Sequence, residues 1–339
     1  METSTETALI AAAQAGDNTA FDALVAPYRH ELLVYCYRLL GSVHDAEDLV
    51  QETLLRSWVK RATFVRQGSF RAWLYRIATN LCLNAITRGP RRSLPTLTQP
   101  PADPTQPLPE ASSEPIWLEP LPDALLAGVP DTPEARYTQR ESITLAFIVA
   151  LQVLPPRQRA VLVLRDVLDW PASEVADWLE MSVPAVNSAL QRARWSLARH
   201  APSEETPPAQ LEARLRPLLD HYLRAWEQAD VPALVALLKE DAWFTMPPVP
   251  AWFQGRDAIE AFFRAAIFHP PTPGEWRLRQ VWTNASPAFA LYRLNGTTGR
   301  HHFFGLLVLT WEGERIASSV GFMDATSLAP FALPDALAD

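Results

Sequence analysis

Eight Lys/Arg side chains fall between residues 60 and 92 with no Asp or Glu among them. They are Lys60, Arg61, Arg66, Arg71, Arg76, Arg88, Arg91 and Arg92, and Phe64, Phe70, Trp73 and Tyr75 are interleaved with them. Cationic groups hold phosphates and ring faces stack on unpaired bases, so the combination suits a single-stranded nucleic-acid surface. The whole chain carries a formal net charge of −8, so the block departs from the average composition. Asn187, Ser188, Gln191, Arg192 and Arg194 form a second polar set, of types that meet base edges and phosphates. No comparable set suggests catalysis. His301 and His302 are adjacent on a strand-like run and would point to opposite faces, which is poor geometry for a shared metal. Cys36 and Cys82 lie in helical patterns and are expected to be buried, reduced thiols. No catalytic residue, metal site or cofactor is expected.

Helices must position both sets. In residues 45–54, Ala46, Leu49, Val50, Thr53 and Leu54 share one face at 100° per residue, and Asp45, Asp48 and Glu52 share the other. Glu47 and Gln51 stand at the edge of that acidic face. For an isolated helix, a solvated face would be the plain reading. The next helix spans about 69–84. Its stripe of Phe70, Trp73, Leu74, Ile77, Ala78 and Leu81 should be buried, with Tyr75, Arg76 and Thr79 projecting away and Asn80 on the flank. Further on, Leu154-Pro155-Pro156-Arg157-Gln158-Arg159 opens a helix with proline in its first turn. Residues 169–179 and 183–194, joined by Glu180-Met181-Ser182, read as a helix-turn-helix whose second helix enters the major groove.

Twelve prolines in residues 90–133 block regular helix there. Ile116, Trp117, Leu118, Leu121, Leu125 and Leu126 suggest that this stretch packs weakly on a neighbour. Charge follows the same divisions: net +2 over 1–92, −6 over 93–143, +1 over 144–200 and −5 over 201–339. The expected organisation is a helical unit (8–92), a Pro-rich acidic linker (93–136), a second helical unit (137–200), a short linker (201–209) and a C-terminal unit (210–330). That last unit shows helices at 215–226, 230–238 and 259–267. Strand-like runs follow at 242–246, 276–283, 288–294, 302–311 and 315–323, an α+β order. The N-terminus has no signal-peptide pattern and no run spans a membrane, so a cytoplasmic protein without membrane contact is expected.

Asp45-Ala46-Glu47-Asp48-Leu49-Val50-Gln51-Glu52, followed by residues 70–80, resembles region 2 of sigma-70 family transcription initiation factors, closest to the extracytoplasmic-function (ECF) group. Residues 154–159 and 191–194 are similar to sigma region 4. Residues 222–226, 241–248 and 253–259 resemble the SnoaL-like cone fold shared with ketosteroid isomerases and nuclear transport factor two. The resemblance implies two all-α domains, a region 2 bundle and a region 4 helix-turn-helix, plus an α+β cone-shaped domain. It implies core RNA polymerase as partner, through the β′ clamp helices and the β flap. Asp45, Glu47, Asp48, Gln51 and Glu52 would meet the clamp helices. Promoter DNA would be melted and read at the −10 element by Arg71, Tyr75, Arg76, Asn80 and Arg88. Asn187, Ser188, Gln191, Arg192 and Arg194 would read the −35 element, with Arg194 either a phosphate clamp or a structural residue. Asn187 and Ala189 stand where many ECF factors have Lys or Arg, implying fewer phosphate contacts.

In the cone, Tyr222, Trp226, Trp243 and Met246 form the candidate pocket. Met246 and Leu307 occupy positions where isomerase chemistry would need acidic groups. The resemblance implies that this domain controls the factor in cis, with a small ligand or an anti-sigma protein as a further partner. Two other readings stay open on the residues alone: a ligand-responsive DNA-binding regulator that needs no polymerase, and a bifunctional enzyme whose cone turns over a metabolite.

Overall fold

The computed structural model describes residues 2–65, 69–90, 92–112, 117–126, 142–198, 208–324 and 328–337. Arg66 and Arg91 of the basic block, Ile116, and most of the expected linker at 201–209 lie outside the described residues. Packing divides the described residues into two units. One takes in those of Met1–Arg91, Ala124–Ser142 and Ala150–Ala201, the other those of Arg92–Asp123, Ile143–Val149 and Pro202–Asp339.

In chain order the helices are α1 (Glu2–Gln14), α2 (Asn18–Leu40), α3 (Val43–Val59), α4 (Phe70–Arg88), α5 (Leu145–Gln152), α6 (Pro156–Leu162), α7 (Ala172–Leu179) and α8 (Val183–Ala198). Short polar residues start three of them. Asp17 accepts from the Thr19 and Ala20 amides, Ser42 from Asp45 and Ser69 from Ala72. Each satisfies donors that the first turn leaves open. Gly41 ends α2 at φ 70°, the left-handed conformation that glycine adopts without strain. Ala46, Val50, Thr53 and Leu54 of α3 are buried, while Glu47, Asp48 and Gln51 are exposed. In the helix-turn-helix, Glu180 turns left-handed at φ 54°, and the Met181 amide donates to the Ala176 carbonyl at 2.9 Å. The Ser182 hydroxyl then accepts from the Ala185 amide at the start of α8.

On α4, Phe70, Leu74, Ala78 and Leu81 are buried as the periodicity predicts, and Trp73 and Ile77 are half-buried. The expectation that Tyr75 and Thr79 project away is wrong, because both are core residues. The Tyr75 ring packs 5.0 Å from Tyr35 and 5.6 Å from Trp170. The Thr79 hydroxyl donates to the Tyr75 carbonyl and shares a 2.7 Å hydrogen bond with the Tyr35 hydroxyl. A helix packed on one side buries one stripe. Helix α4 packs against α2 and α3 and also against α6 and α7, so its buried arc is wider. Cys36 and Cys82 are free and buried.

The other unit contains α9 (Pro208–Glu227), α10 (Val231–Ala236), β1 (Leu238–Met246), β2 (Val249–Gln254), α11 (Arg256–Phe262), β3 (Trp276–Thr283), β4 (Ser286–Leu294), β5 (His301–Glu312) and β6 (Arg315–Phe322). The six strands form one sheet in the order β2-β1-β6-β5-β4-β3. Only the β1–β6 pair is parallel. Strand β2 was not expected after the proline turn. It is an edge strand, where missing amide donors at Pro250 do no harm to a ladder. Leu215, Leu219, Tyr222 and Trp226 of α9 pack with Phe244, Phe262, Phe289 and Leu307 into its core.

Part of the expected linker is built into this unit. The Trp252 carbonyl accepts from the Ala102 amide, and its indole donates to the Gln99 carbonyl. Pro248 accepts from the Ser112 amide, and Ser93 bridges to Trp117. Leu121 is fully buried, and Asn284 holds it from both sides. The Asn284 side-chain oxygen accepts from the Leu121 amide at 2.9 Å, while its backbone amide donates to the Leu121 carbonyl at 2.9 Å. The Asn284 side-chain amide donates in turn to the Ile143 carbonyl. Asn284→Ala would leave buried partners unsatisfied at a cost of about 1–3 kcal/mol. Amide exchange of residues 117–123 is therefore expected to accelerate by roughly tenfold or more. Hydrogen–deuterium exchange mass spectrometry checks this, and unchanged exchange would show that the segment is held by other means.

Candidate nucleic-acid interface

Packing reduces the basic block to a few free-standing cations. The Arg61 guanidinium lies 3.9 Å from the Trp58 ring centre and donates to the Ala13 and Trp58 carbonyls. Arg92 belongs to the sheet-containing unit, where it donates to the Trp117 carbonyl and pairs with Glu119 at 3.2 Å. Arg71 donates to a Glu31 carboxylate oxygen at 2.8 Å, and the Tyr75 hydroxyl donates to the same oxygen at 3.3 Å. Burial works against the Arg71 charge, but Tyr75 and Glu31 outweigh it and leave its pKa above the ordinary value. Burial likewise pushes the Tyr75 hydroxyl up. Among the described residues of the block, Lys60, Arg76 and Arg88 remain exposed.

Two of those three cations border one groove of about 550 Å³. Lys60 and Arg76 lie on it with Asn80, and Phe64, Trp73 and Trp178 supply ring surface. Its lining holds no carboxylate among the described residues. Phe64, Phe70 and Trp73 brace one another at 5.4–5.6 Å between ring centres, which fixes the wall. The groove can take an anionic, flat-ringed group with the cations at its rim. The sequence reading singled out Arg76 and Asn80, named Lys60 and Phe64 as members of the basic block, and did not connect Trp178 with it. Trp178 comes from a distant helix, and nothing in the local pattern ties it to this groove.

On α3, Glu52 forms an i, i+4 pair with Arg56 at 2.6 Å. Asp48, Glu52, Leu55 and Val59 recur at helical spacing along the open side, and Leu55 and Val59 are 58% and 68% exposed. The two apolar residues were missed by the sequence reading, although their spacing from Asp48 puts them on its face. Asp45, nearer the helix start, is half-buried.

Helix α8 buries Val186, Ala189, Leu190 and Ala193 and exposes Asn187, Ser188, Gln191, Arg192 and Arg194. Ala189 is thus a packing position. Arg194 pairs with both oxygens of Asp166 at 2.7 Å, and this carboxylate raises its pKa.

The candidate pocket in the sheet-containing unit divides. Tyr222, Trp226 and Met246 lie in the core, with Tyr222 stacked 5.4 Å from Phe289 and tilted against Trp226 at 5.8 Å. Trp243 does not join them. Ala242, Phe244 and Met246 alternate inward along β1, so Trp243 takes the opposite face and is half-buried. The Tyr222 hydroxyl has no hydrogen-bond partner among the described residues, and burial holds its pKa well above the ordinary value. His301 and His302 contact different groups, the Gly274 carbonyl and the Thr298 hydroxyl.

Known proteins show the same parts in the same order. Residues 24–92 match Sigma-70 region 2, residues 144–197 match Sigma-70 region 4, and residues 219–319 match the SnoaL-like domain. The chain is 46% identical over 325 residues to the ECF RNA polymerase sigma factor SigG of Mycobacterium tuberculosis, covering 94% of this chain and 85% of the relative. It is 31% identical over 221 residues to SigJ of the same organism, covering 64% of this chain and 62% of that protein. The crystal structure of M. tuberculosis SigJ has the same fold, with a TM-score of 0.62 at 23% identity over 93% of this chain and 99% of that one. No described helix is long and apolar enough to cross a membrane. With both sigma regions, a C-terminal SnoaL-like domain and a near full-length relative, the chain belongs to the ECF RNA polymerase sigma factors.

Proposed function

We propose that this sigma factor docks on core RNA polymerase through the open face of α3 and captures the melted −10 strand in the groove beside α4. The observation that carries the reading is the region 2 side of that groove, where two cations, an amide and the Phe64 and Trp73 rings meet without a lining carboxylate. On α3, Asp48, Gln51 and Glu52 supply charge and hydrogen bonds to the β′ clamp helices, with Glu47 and Asp45 beside them. Leu55 and Val59 add apolar area at the same face. Lys60, Arg76 and Arg88 hold phosphates, and Asn80 meets a base edge. Arg71 and Tyr75 act from below, by fixing α4, because both are tied to Glu31.

In region 4, Asn187, Ser188, Gln191 and Arg192 meet the −35 element in the major groove while the domain contacts the β flap. Arg194 is a structural residue first, since Asp166 engages two of its donors. The factor acts in the cytoplasm, and the polymerase performs the chemistry. Met246 and Leu307 in the cone interior supply no carboxylate for isomerase chemistry, which supports a regulatory rather than enzymatic role for that domain. A small ligand or an anti-sigma protein is the further partner this role calls for.

Reconstituted transcription with cognate core polymerase tests the reading, and absence of promoter-specific initiation would overturn it. Asp48→Lys with Glu52→Lys is expected to weaken core binding by about tenfold or more, read by competition against the wild-type factor. Arg76→Ala and Asn80→Ala should lower open-complex formation, read by permanganate footprinting, while leaving the factor folded. Tyr75→Phe keeps the ring, loses the hydrogen bond to Glu31 and should lower open-complex formation by less than Arg76→Ala does. Tyr75→Ala should instead cost about 3–5 kcal/mol in denaturation, as a large core truncation does. Removing residues 210–339 is expected to change promoter activity while core binding survives; activity equal to the full chain would end the cis-regulatory role.

A further inference from the structure

A cavity of about 460 Å³ opens in the sheet-containing unit, a size typical of small-molecule sites. Its described lining shares no residue with the core that holds Tyr222 and Trp226. Two parts of the chain build it. The proline-rich stretch supplies Arg92, Ser112, Trp117 and Glu119, and the cone supplies Pro247, Pro248, Phe322 and Asp324. Backbone bonds fix the walls. The Ser112 amide donates to the Pro248 carbonyl at 2.9 Å, and the Met323 amide to the Pro247 carbonyl at 3.1 Å. The Trp117 indole donates to the Ser112 carbonyl at 2.7 Å, which sets the ring.

The charged groups do more than a packing seam requires. Arg92 and Glu119 pair at 3.2 Å with 14% and 12% of their side-chain surfaces exposed. A largely buried ion pair adds little net stability over apolar side chains of similar volume, so stability alone does not account for it. With Asp324, the described lining sets two carboxylates against one guanidinium, which disfavours an anion. Trp117 and Phe322 add aromatic surface, and rings beside carboxylates suit an organic cation. A metal ion is a poorer fit, because the described residues hold no group of three or more His, Cys, Asp or Glu side chains able to bind one. We propose that this cavity binds a small organic cation with a flat apolar body. Its ammonium faces Glu119 and Asp324, and its ring lies against Trp117 and Phe322. The site is composite, complete only while the proline-rich stretch lies on the cone. Ligand binding and docking of that stretch therefore stabilise one another by the same factor. The inference deepens, and rests on, the reading that the cone answers to a small ligand; it puts that ligand at the seam and not in the cone interior.

The test titrates the full chain with phenethylammonium at neutral pH, with hydrocinnamate as a probe of matching shape and opposite charge. Isothermal titration calorimetry should show the cation binding about tenfold or more tightly than the anion. Asp324→Asn changes an exposed residue, and Glu119→Gln keeps an oxygen for Arg92 to bond, so both should fold. Together they should weaken phenethylammonium about tenfold. With the probe at about ten times its Kd, amide exchange of residues 117–123 should slow about tenfold, read by hydrogen–deuterium exchange mass spectrometry. Absence of phenethylammonium binding would overturn the proposal. So would equal binding of the two probes, or binding that the double variant leaves unchanged. Binding lost in Tyr222→Phe and kept in the double variant would move the ligand into the cone interior and overturn the seam site. Binding without slower exchange would end the coupling to the proline-rich stretch. Neither polymerase nor DNA enters the assay, so failure here strikes the seam site and leaves the sigma reading standing. The cis-regulatory reading falls separately, on the promoter activity of the chain without residues 210–339.

Discussion

Tyr35, Thr79 and Tyr75 form a buried polar chain at the centre of the helical unit. The Tyr35 hydroxyl meets Thr79, Thr79 bonds back to the Tyr75 carbonyl, and the Tyr75 hydroxyl reaches Glu31. Glu31 then holds Arg71. Buried polar groups are costly unless each finds a partner, so this chain fixes the rotation of α4 about its own axis. Once that rotation is set, Arg76 and Asn80 must face outward and Trp73 must stand at the edge. The groove, its cations and its ring wall all follow from how α4 is clamped.

Charge density alone overstated the exposed basic surface. A run of cations in sequence is a run on the surface only if packing leaves each one free. Arg61 is spent on the Trp58 ring and two carbonyls, Arg71 on Glu31, and Arg92 on Glu119. Lys60, Arg76 and Arg88 keep their charge available.

Proline content misled in a different way. Proline prevents helix and removes donors, but it does not prevent an extended segment from packing through its carbonyls and neighbouring side chains. Within 92–112 and 117–123, the amides of Ala102, Ser112 and Leu121, together with the apolar Leu118 and Leu121, join the chain to the sheet-containing unit. Their apolar side chains were the legible sign. Their partner was not legible, since Asn284 lies 163 residues from Leu121.

Sequence by itself determined the modular order, the two sigma regions and the cone, the buried stripe of α4, the acidic face of α3 and the exposed polar face of α8. These depend on short-range periodicity and on motifs contiguous in the chain. Tertiary structure alone decided that Tyr75 and Thr79 are core, that Trp243 faces away from Tyr222, and that Trp178 lines a groove on a helix about a hundred residues earlier. The reason is geometric: periodicity reports one face of an element, but a helix packed on several sides buries more than one. Which neighbours press on it is set by contacts between residues far apart in the chain.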